Sequence, residues 1–425
     1  MEAAVLLRFA VSNHRSINEP VELSMVAVDD DREAARRFDL LNESVLTVAG
    51  IYGPNASGKS NVVDALAWLS AAVGRSLRAW DETIPREPFK FSSAAGLPTT
   101  FEAEMMVDGV RYAYQLELTD KEVTTEALYS YPERRQRLLF EREGLNIHFR
   151  RGLGSALSGV RELLTPTTLA LSAAMRFREP DVSPFGHKLA NVVVLGTRPR
   201  RPRTVDWYAY SSPVLYRASE TERLFVESSD QRGRTQGLGL LRFADLGIDD
   251  VEVVEEAVDD AVDAPIRRQI RLVHRVEDQK IAFNLYDESE GTRTWFRLIG
   301  PVLRALKAGR TMLFDEIDAS LHPRLSAKLL ELFQDPRTNP SGAQLVFTSH
   351  DTSLLNHLNR DEVWLTDKGI RGATSLTPLS DFGGDKVRRS LNLEKAYLQG
   401  RFGAVPELDQ QALKAYLGVQ PQDPG

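Results

Sequence analysis

The chain has 425 residues with no cysteine, 53 lysines and arginines against 60 aspartates and glutamates, and a formal charge of −7. Disulfides, thiolate metal centres and cysteine nucleophiles are excluded, and a mildly acidic chain is no general coat for nucleic acid, although a local basic groove remains compatible with it. No apolar run reaches the roughly 18–20 residues of a membrane span, and the opening residues 1–8 lack a signal peptide's long apolar region, so a cytoplasmic location without membrane contact is expected.

Residues Ala4 to Val11 are apolar and β-prone, residues 12–16 are polar, and residues 21–26 alternate at period two, which predicts two strands around a turn. Residues 28–43 are charged and read as irregular, whereas 44–51 form one short apolar strand. Gly53-Pro54-Asn55-Ala56-Ser57-Gly58-Lys59-Ser60 then fits G-x-x-x-x-G-K-[ST] at every fixed position, and Val62, Val63, Leu66 and Leu69 recur at helical spacing behind it. Glycines in such a loop let successive backbone N–H groups surround a polyphosphate at a helix N-terminus. Lys59 is expected at the β- and γ-phosphates of ATP and the Ser60 hydroxyl on Mg²⁺, with Asn61 closing the ATP-binding set.

Residues 84–98, with three prolines, read as a surface connection, and Asp108-Gly109 between two alternating runs predicts a hairpin. Residues 155–240 read as a mainly helical insert, with a helix over 163–175, dividing an ATPase core into parts at 1–154 and 241–400 ahead of a loose tail at 401–425. Inside the insert, Arg198, Arg200, Arg201 and Arg203 precede Trp207, Tyr208 and Tyr210, a pattern that suits either a strand-tracking nucleic-acid surface or a solvated loop. The acidic stretch 249–263 and the arginines at 267, 268, 271 and 275 read as a solvated face with local ion pairing.

Thr311 to Phe314 is a short apolar strand ending in Asp315 and Glu316. Beside a phosphate loop, such an aspartate is a Mg²⁺ ligand and the following glutamate a candidate general base for the attacking water. A further apolar strand, 344–348, leads into His350, placed to sense the γ-phosphate at a strand C-terminus, where α/β sheets open onto ligands. Together these segments predict an α/β P-loop fold with mixed sheets and an N-terminal antiparallel β subdomain.

With these three motifs, the chain resembles ATP-binding-cassette ATPases, in particular the AAA-family proteins related to RecF, SMC and overcoming-lysogenization-defect ATPases. The opening Leu6-Leu-Arg-Phe-Ala-Val-Ser-Asn-His-Arg-Ser16, Asn61 after Ser60, the Phe347–Leu355 stretch and Asn392–Gly403 carry the likeness to that subgroup. In the cassette family a Leu-Ser-Gly-Gly-Gln-like signature precedes the Asp-Glu strand. Here Ser289 and Gly291 match its serine and second glycine, while Glu290 and Thr292 depart from it. Ser158 and Gly159 are closer by letters but lie in the insert, too early to open the helix leading into Asp315.

The resemblance implies a homodimer or higher homo-oligomer, packed head to tail, in which the signature serves the opposite subunit's ATP. It also implies that Asp318 and Ser320 lie in the loop crossing between subunits, where His322 replaces a frequent aspartate. It suggests an ATPase acting as sensor or regulatory subunit of an anti-phage system with a separate effector protein. The alternative is a RecF-like DNA-binding repair ATPase; a transporter's nucleotide-binding subunit fits less well.

Overall fold

The structure, a computed structural model, describes residues 4–38, 43–91, 96–196, 220–226, 230–245, 247–257, 266–382 and 392–403. The first strands are β1 (Val5–Ser12), β2 (Val21–Ser24), β3 (Ala35–Phe38), β4 (Glu43–Leu46) and β5 (Val48–Tyr52), followed by helix α1 (Lys59–Ala79). Then come β6 (Thr99–Val107), β7 (Val110–Leu118), β8 (Val123–Tyr131), β9 (Arg137–Glu143) and β10 (Asn146–Phe149). A helical stretch follows, with α2 (Val160–Leu163), α3 (Ala170–Ala174), α4 (Ser183–Ala190), the short strand β11 (Val193–Leu195), α5 (Glu220–Val226) and α6 (Gln231–Ala244). The remaining elements are β12 (Ile248–Ala257), β13 (Ile266–Val276), β14 (Gln279–Asn284), α7 (Glu290–Ala308), β15 (Thr311–Phe314), α8 (Ile317–Ser320), α9 (Pro323–Gln334), β16 (Gln344–Thr348), β17 (Val363–Lys368), β18 (Thr374–Pro378) and α10 (Leu393–Leu398).

Two sheets enclose α1. The antiparallel one runs β10-β9-β8-β7-β6-β1-β2, and the other runs β11-β15-β16-β5-β17-β18, parallel except for β18. Helix α1 is apolar enough on several faces to be buried between them: its Trp68 stacks on Phe101 of β6, ring centroids 4.8 Å apart, while its core also takes in Leu313 of β15 and Val346 of β16. The other face of the parallel sheet is covered by α7 and α9, whose Trp295, Phe296, Leu329 and Phe333 join Met312, Phe314 and Phe347 in a second core. Gln344 ties the two sheets: its amide exchanges hydrogen bonds with the backbone of Leu6 (2.6 and 2.9 Å) and donates to Leu46 O (3.1 Å).

The hairpin at Asp108-Gly109 forms as expected, with both turn residues at positive φ (47° and 78°), the geometry that matches strand twist in a two-residue turn. Other local expectations change. The apolar run 44–51 is two strands, because the chain leaves β4 at Thr47 to pair in the parallel sheet. Residues 28–43 were expected irregular, yet Ala35–Phe38 is a strand imposed by its pairing with β4, since Arg36 and Arg37 give it no apolar alternation. The first part of the 84–98 connection is clamped to the core: Ile84 and Phe89 are buried, and Pro85 O accepts from Trp68 Nε1 at 2.8 Å.

The helix expected over 163–175 is broken at Pro166 into α2 and α3, proline being a poor continuation of a helix. The stretch 155–240, expected to be mainly helical, also supplies β11, an edge strand paired in parallel with β15. The acidic stretch becomes β12, and the backbone register sets Glu252 opposite Arg271, Glu255 opposite Arg268 and Glu256 opposite Arg267. Asp259, Asp260 and Asp263 lie outside the described residues, as do Thr197–Arg203, Trp207, Tyr208, Tyr210 and the tail beyond 403.

Candidate nucleotide site

The phosphate loop leaves β5 at the C-terminal edge of the parallel sheet. Gly53 (φ 150°) and Gly58 (φ 108°) hold backbone angles unfavourable to other residues, and a Cβ on either would come within 2.4 Å of Thr366 or 2.0 Å of Thr374. No side chain caps α1 and its first turn carries no acid, so its free N–H groups and positive dipole end are left for an anion. Lys59 is buried and folds over the loop, its Nζ donating to Gly53 O (2.8 Å) and Pro54 O (3.0 Å) and meeting His350 Nδ1 at 3.5 Å. Asn55 and Ala56 form the exposed tip, and Ser60 and Asn61 sit half-buried in the first turn of α1.

Hydroxyl groups brace the loop from behind. Ser57 Oγ meets Thr366 Oγ1 at 2.6 Å, and Thr374 donates to Ser57 O at 2.7 Å. Ser16 in turn touches Thr374 Oγ1 (2.7 Å) and accepts from Asn61 Nδ2 (2.5 Å), while Arg15 reaches Asn61 Oδ1 and Asp64. The opening segment that carries the family likeness is therefore packed directly against the phosphate loop.

Strand order explains how the carboxylates reach the same place. β16 lies between β5 and β15, so Asp315 and His350 emerge from adjacent parallel strands at the edge where the loop begins. Thr348 joins them: its hydroxyl donates to Asp315 Oδ1 and accepts from Glu316 N, both at 2.7 Å. Glu316 holds a left-handed backbone (φ 54°), strained for a residue with a Cβ and held there in part by that bond. Asp318 accepts from Ser349 Oγ (2.9 Å) and His350 N (3.2 Å), fixing the loop that carries the histidine.

Electrostatics show the same convergence. Burial pulls the Lys59 ammonium down to about 8, against the opposing pull of Asp318, Asp315 and Glu316. Burial and then the Lys59 charge lower His350 below the ordinary imidazole value, against Asp318, Glu316 and Asp315. A neutral His350 accepting from Lys59 at Nδ1 carries its ring proton on Nε2 and can donate without adding charge. Lys59, Asp315, Glu316, Asp318 and His350, distant in sequence, thus act on one another at one end of the parallel sheet. The donor set suits Mg²⁺ bound to a nucleotide: a serine hydroxyl at Ser60 and a carboxylate at Asp315, both hard oxygen ligands.

Ser289 is exposed and caps α7, its Oγ accepting from Thr292 N at 3.1 Å; α7 runs through Gly309 into β15, and Gly291 is exposed in its first turn. Ser158 instead lies in an exposed turn, donating to Ser155 O, and opens no helix toward Asp315. Asp318 and Ser320 both fall in α8. His322 is the N-cap of α9, its Nδ1 accepting from Arg324 N at 3.3 Å, which gives that unexpected residue a structural role. Reading the sequence missed Thr348, Thr366, Thr374 and Ser16 as supports. Only Thr348 left a signal: two residues before His350, it follows the period of a strand.

The loop, the inserted β16 and the paired carboxylates define a P-loop fold. The sequence model of the family described as "AAA domain, putative AbiEii toxin, Type IV TA system" matches residues 48–153 and 177–356, and the chain belongs to that family. Among solved structures, an SMC head bound to the C-winged helix domain of ScpA is 12% identical, covering 88% of this chain and 96% of that one at a TM-score of 0.45. The SMC head domain from Thermotoga maritima is 15% identical (89% and 99% covered, TM-score 0.40). An SMC head with an extended coiled coil, bound to the C-terminal domain of ScpA and derived from Pyrococcus furiosus, is 14% identical (89% and 97% covered, TM-score 0.44). No curated protein matches the chain. Among the described residues, no helix is long and apolar enough to cross a membrane.

Proposed function

We propose that this protein binds and hydrolyses ATP, and that two copies pack head to tail so that Ser289 and Gly291 of one complete the site begun by Lys59 of the other. The observation that carries the reading is the meeting of Lys59 and His350 at 3.5 Å, within the field of Asp315, Glu316 and Asp318. Lys59 would leave the carbonyls of Gly53 and Pro54 for the β- and γ-phosphates. The loop N–H groups of residues 53–60 and the N-terminus of α1 would hold the remaining phosphate charge. Glu316, held beside Asp315 through Thr348, is the base that takes a proton from the attacking water, and His350 donates from Nε2 to the γ-phosphate. Mg²⁺, when bound at Ser60 and Asp315, neutralises phosphate charge. Little covalent chemistry is asked of the chain; its contribution is position and preset charge.

Within that reading ATP favours the closed pair of subunits, hydrolysis favours their separation, and the short helix α8, which carries Asp318 and Ser320 where the resemblance implied a loop, serves the contact between sites. The family's description names a putative AbiEii toxin of a Type IV toxin–antitoxin system; within this reading the chain is the sensor or regulatory subunit of an anti-phage system that acts with a separate effector protein. A nucleic-acid reading rests on the residues Arg198, Arg200, Arg201 and Arg203 and is tested by salt-dependent DNA binding that their substitution removes.

The deciding experiment mixes two inactive variants. Lys59→Ala lacks a phosphate loop and Ser289→Arg a signature. In a head-to-tail pair one mixed site inherits both defects and the other neither, so mixing should restore roughly a quarter of the wild-type rate, half the dimers being mixed. Two inactive variants that stay inactive when shown to associate would refute the shared site.

A further inference from the structure

Beyond the nucleotide site, the fold gathers Asp245, His274 and Glu288 from three separate elements, with one ligating atom from each lying within 4.8 Å of the others. Asp245 ends α6, His274 lies in the middle strand of the β12–β14 sheet, and Glu288 is the residue directly before Ser289. We infer that these three side chains form a site for a first-row divalent transition metal of the zinc type, clipping the start of α7 to the end of α6 and to β13.

The donor set selects the ion. One imidazole nitrogen with two carboxylate oxygens suits Zn²⁺, Co²⁺ or Mn²⁺; Mg²⁺ and Ca²⁺ prefer oxygen alone, and the soft ligands that favour copper(I) are missing from the set. Three protein ligands leave a position for water, which the partial exposure of His274 (20%) and Glu288 (10%) allows. His274 Nε2 lies 2.8 Å from Glu288 Oε1. Ligands of one ion held at about 2.1 Å sit about 3.0–3.4 Å apart, so an ion replaces the shared proton with a small opening of this contact.

Charge in the neighbourhood points the same way. Asp249, a few residues from Asp245, draws Arg275 (3.0 Å) and Lys280 (2.7 Å) as well as Arg242. Among the described residues, by contrast, neither Asp245 nor Glu288 has a lysine or arginine in ion-pair range, and His274 is their one basic neighbour. Two partly buried carboxylates sharing a single imidazole are short of positive charge, a deficit that a divalent ion removes.

The supporting shell also fits. Asp245 Oδ1 accepts from Gly247 N at 3.0 Å, which orients the carboxylate and leaves Oδ2 to ligate. The His274 ring is held edge-to-face against Phe283, centroids 5.4 Å apart. Gly247 lets the chain pass close behind two of the ligands: a Cβ there would lie 3.1 Å from His274 Nδ1 and 3.2 Å from Asp245 Oδ1. The site uses no part of the phosphate loop, so it stands or falls separately from ATP hydrolysis.

The test is equilibrium dialysis of chelator-treated full-length protein against Zn²⁺ and Co²⁺ without nucleotide, with thermal unfolding in parallel. One ion per chain, a cobalt d–d spectrum with mixed nitrogen and oxygen ligation, and a raised unfolding temperature are expected. Asp245→Asn and Glu288→Gln keep side-chain size, so they should fold while binding at least about 100-fold more weakly, exceeding the usual cost of an outer-shell loss. Binding at equal strength in both variants would show that other histidines hold the ion and would overturn the site, as would failure of the wild-type chain to bind either ion.

Discussion

Replacing Thr348 by valine keeps the shape of a buried β16 side chain and removes one oxygen. That oxygen donates to Asp315 Oδ1 and accepts from Glu316 N, each at 2.7 Å, and Thr348 and Asp315 are 0% and 8% exposed. Loss of a hydrogen bond to a charged group costs about 1.5–3 kcal/mol, and an N–H left without a partner adds about 1 kcal/mol or more. Thr348→Val should therefore lower stability by about 2–4 kcal/mol. Thr348→Ser, which keeps the hydroxyl and loses a methyl, should cost about 1 kcal/mol. Chemical denaturation of the two variants without nucleotide measures the gap. Steady-state ATPase assays should show kcat falling for valine and near wild-type for serine, because only the former frees Asp315 and relaxes the left-handed backbone at Glu316. Equal stability and equal turnover in the two variants would refute the role of the hydroxyl and with it the bracing of both carboxylates by β16.

The lowered Lys59 value has a pH consequence. The charged ammonium binds phosphate, and without nucleotide it is present below about 8 and lost above, so ATP affinity should be flat near pH 7 and fall up to tenfold per pH unit above 8. Titrations at about pH 7 and about pH 9.5 that give one affinity would contradict this. Glu316→Gln should remove turnover while retaining ATP, leaving an ATP-dependent dimer in light scattering; turnover at the wild-type rate would dismiss Glu316 as base. In the antiparallel sheet, Arg142 and Glu126 are both fully buried and 3.6 Å apart, and Glu126 also accepts from the backbone of Ala170 and Leu171. Arg142→Met should cost about 3–5 kcal/mol by leaving Glu126 uncompensated, read as a lowered unfolding midpoint. A midpoint like wild type would refute the buried pair as a source of stability.

Some of this protein is legible without coordinates. The phosphate loop is contiguous, its glycines are required by local backbone angles, and the hairpin at Asp108-Gly109 is set by its own two residues. The Asp-Glu strand and the His350 strand are short apolar runs whose chemistry sits at their ends, so their type and order could be read in the chain. Tertiary structure alone decided what pairing across distance controls. Thr47 divides one apolar run between two sheets, Arg36 and Arg37 enter a strand that their residue types disfavour, and β11 joins the parallel sheet from a helical stretch. The hydroxyls of Ser16, Thr348, Thr366 and Thr374 take their meaning from partners up to hundreds of residues away. Periodicity records which face of an element is apolar; it carries no record of which polar atom on another element will stand opposite.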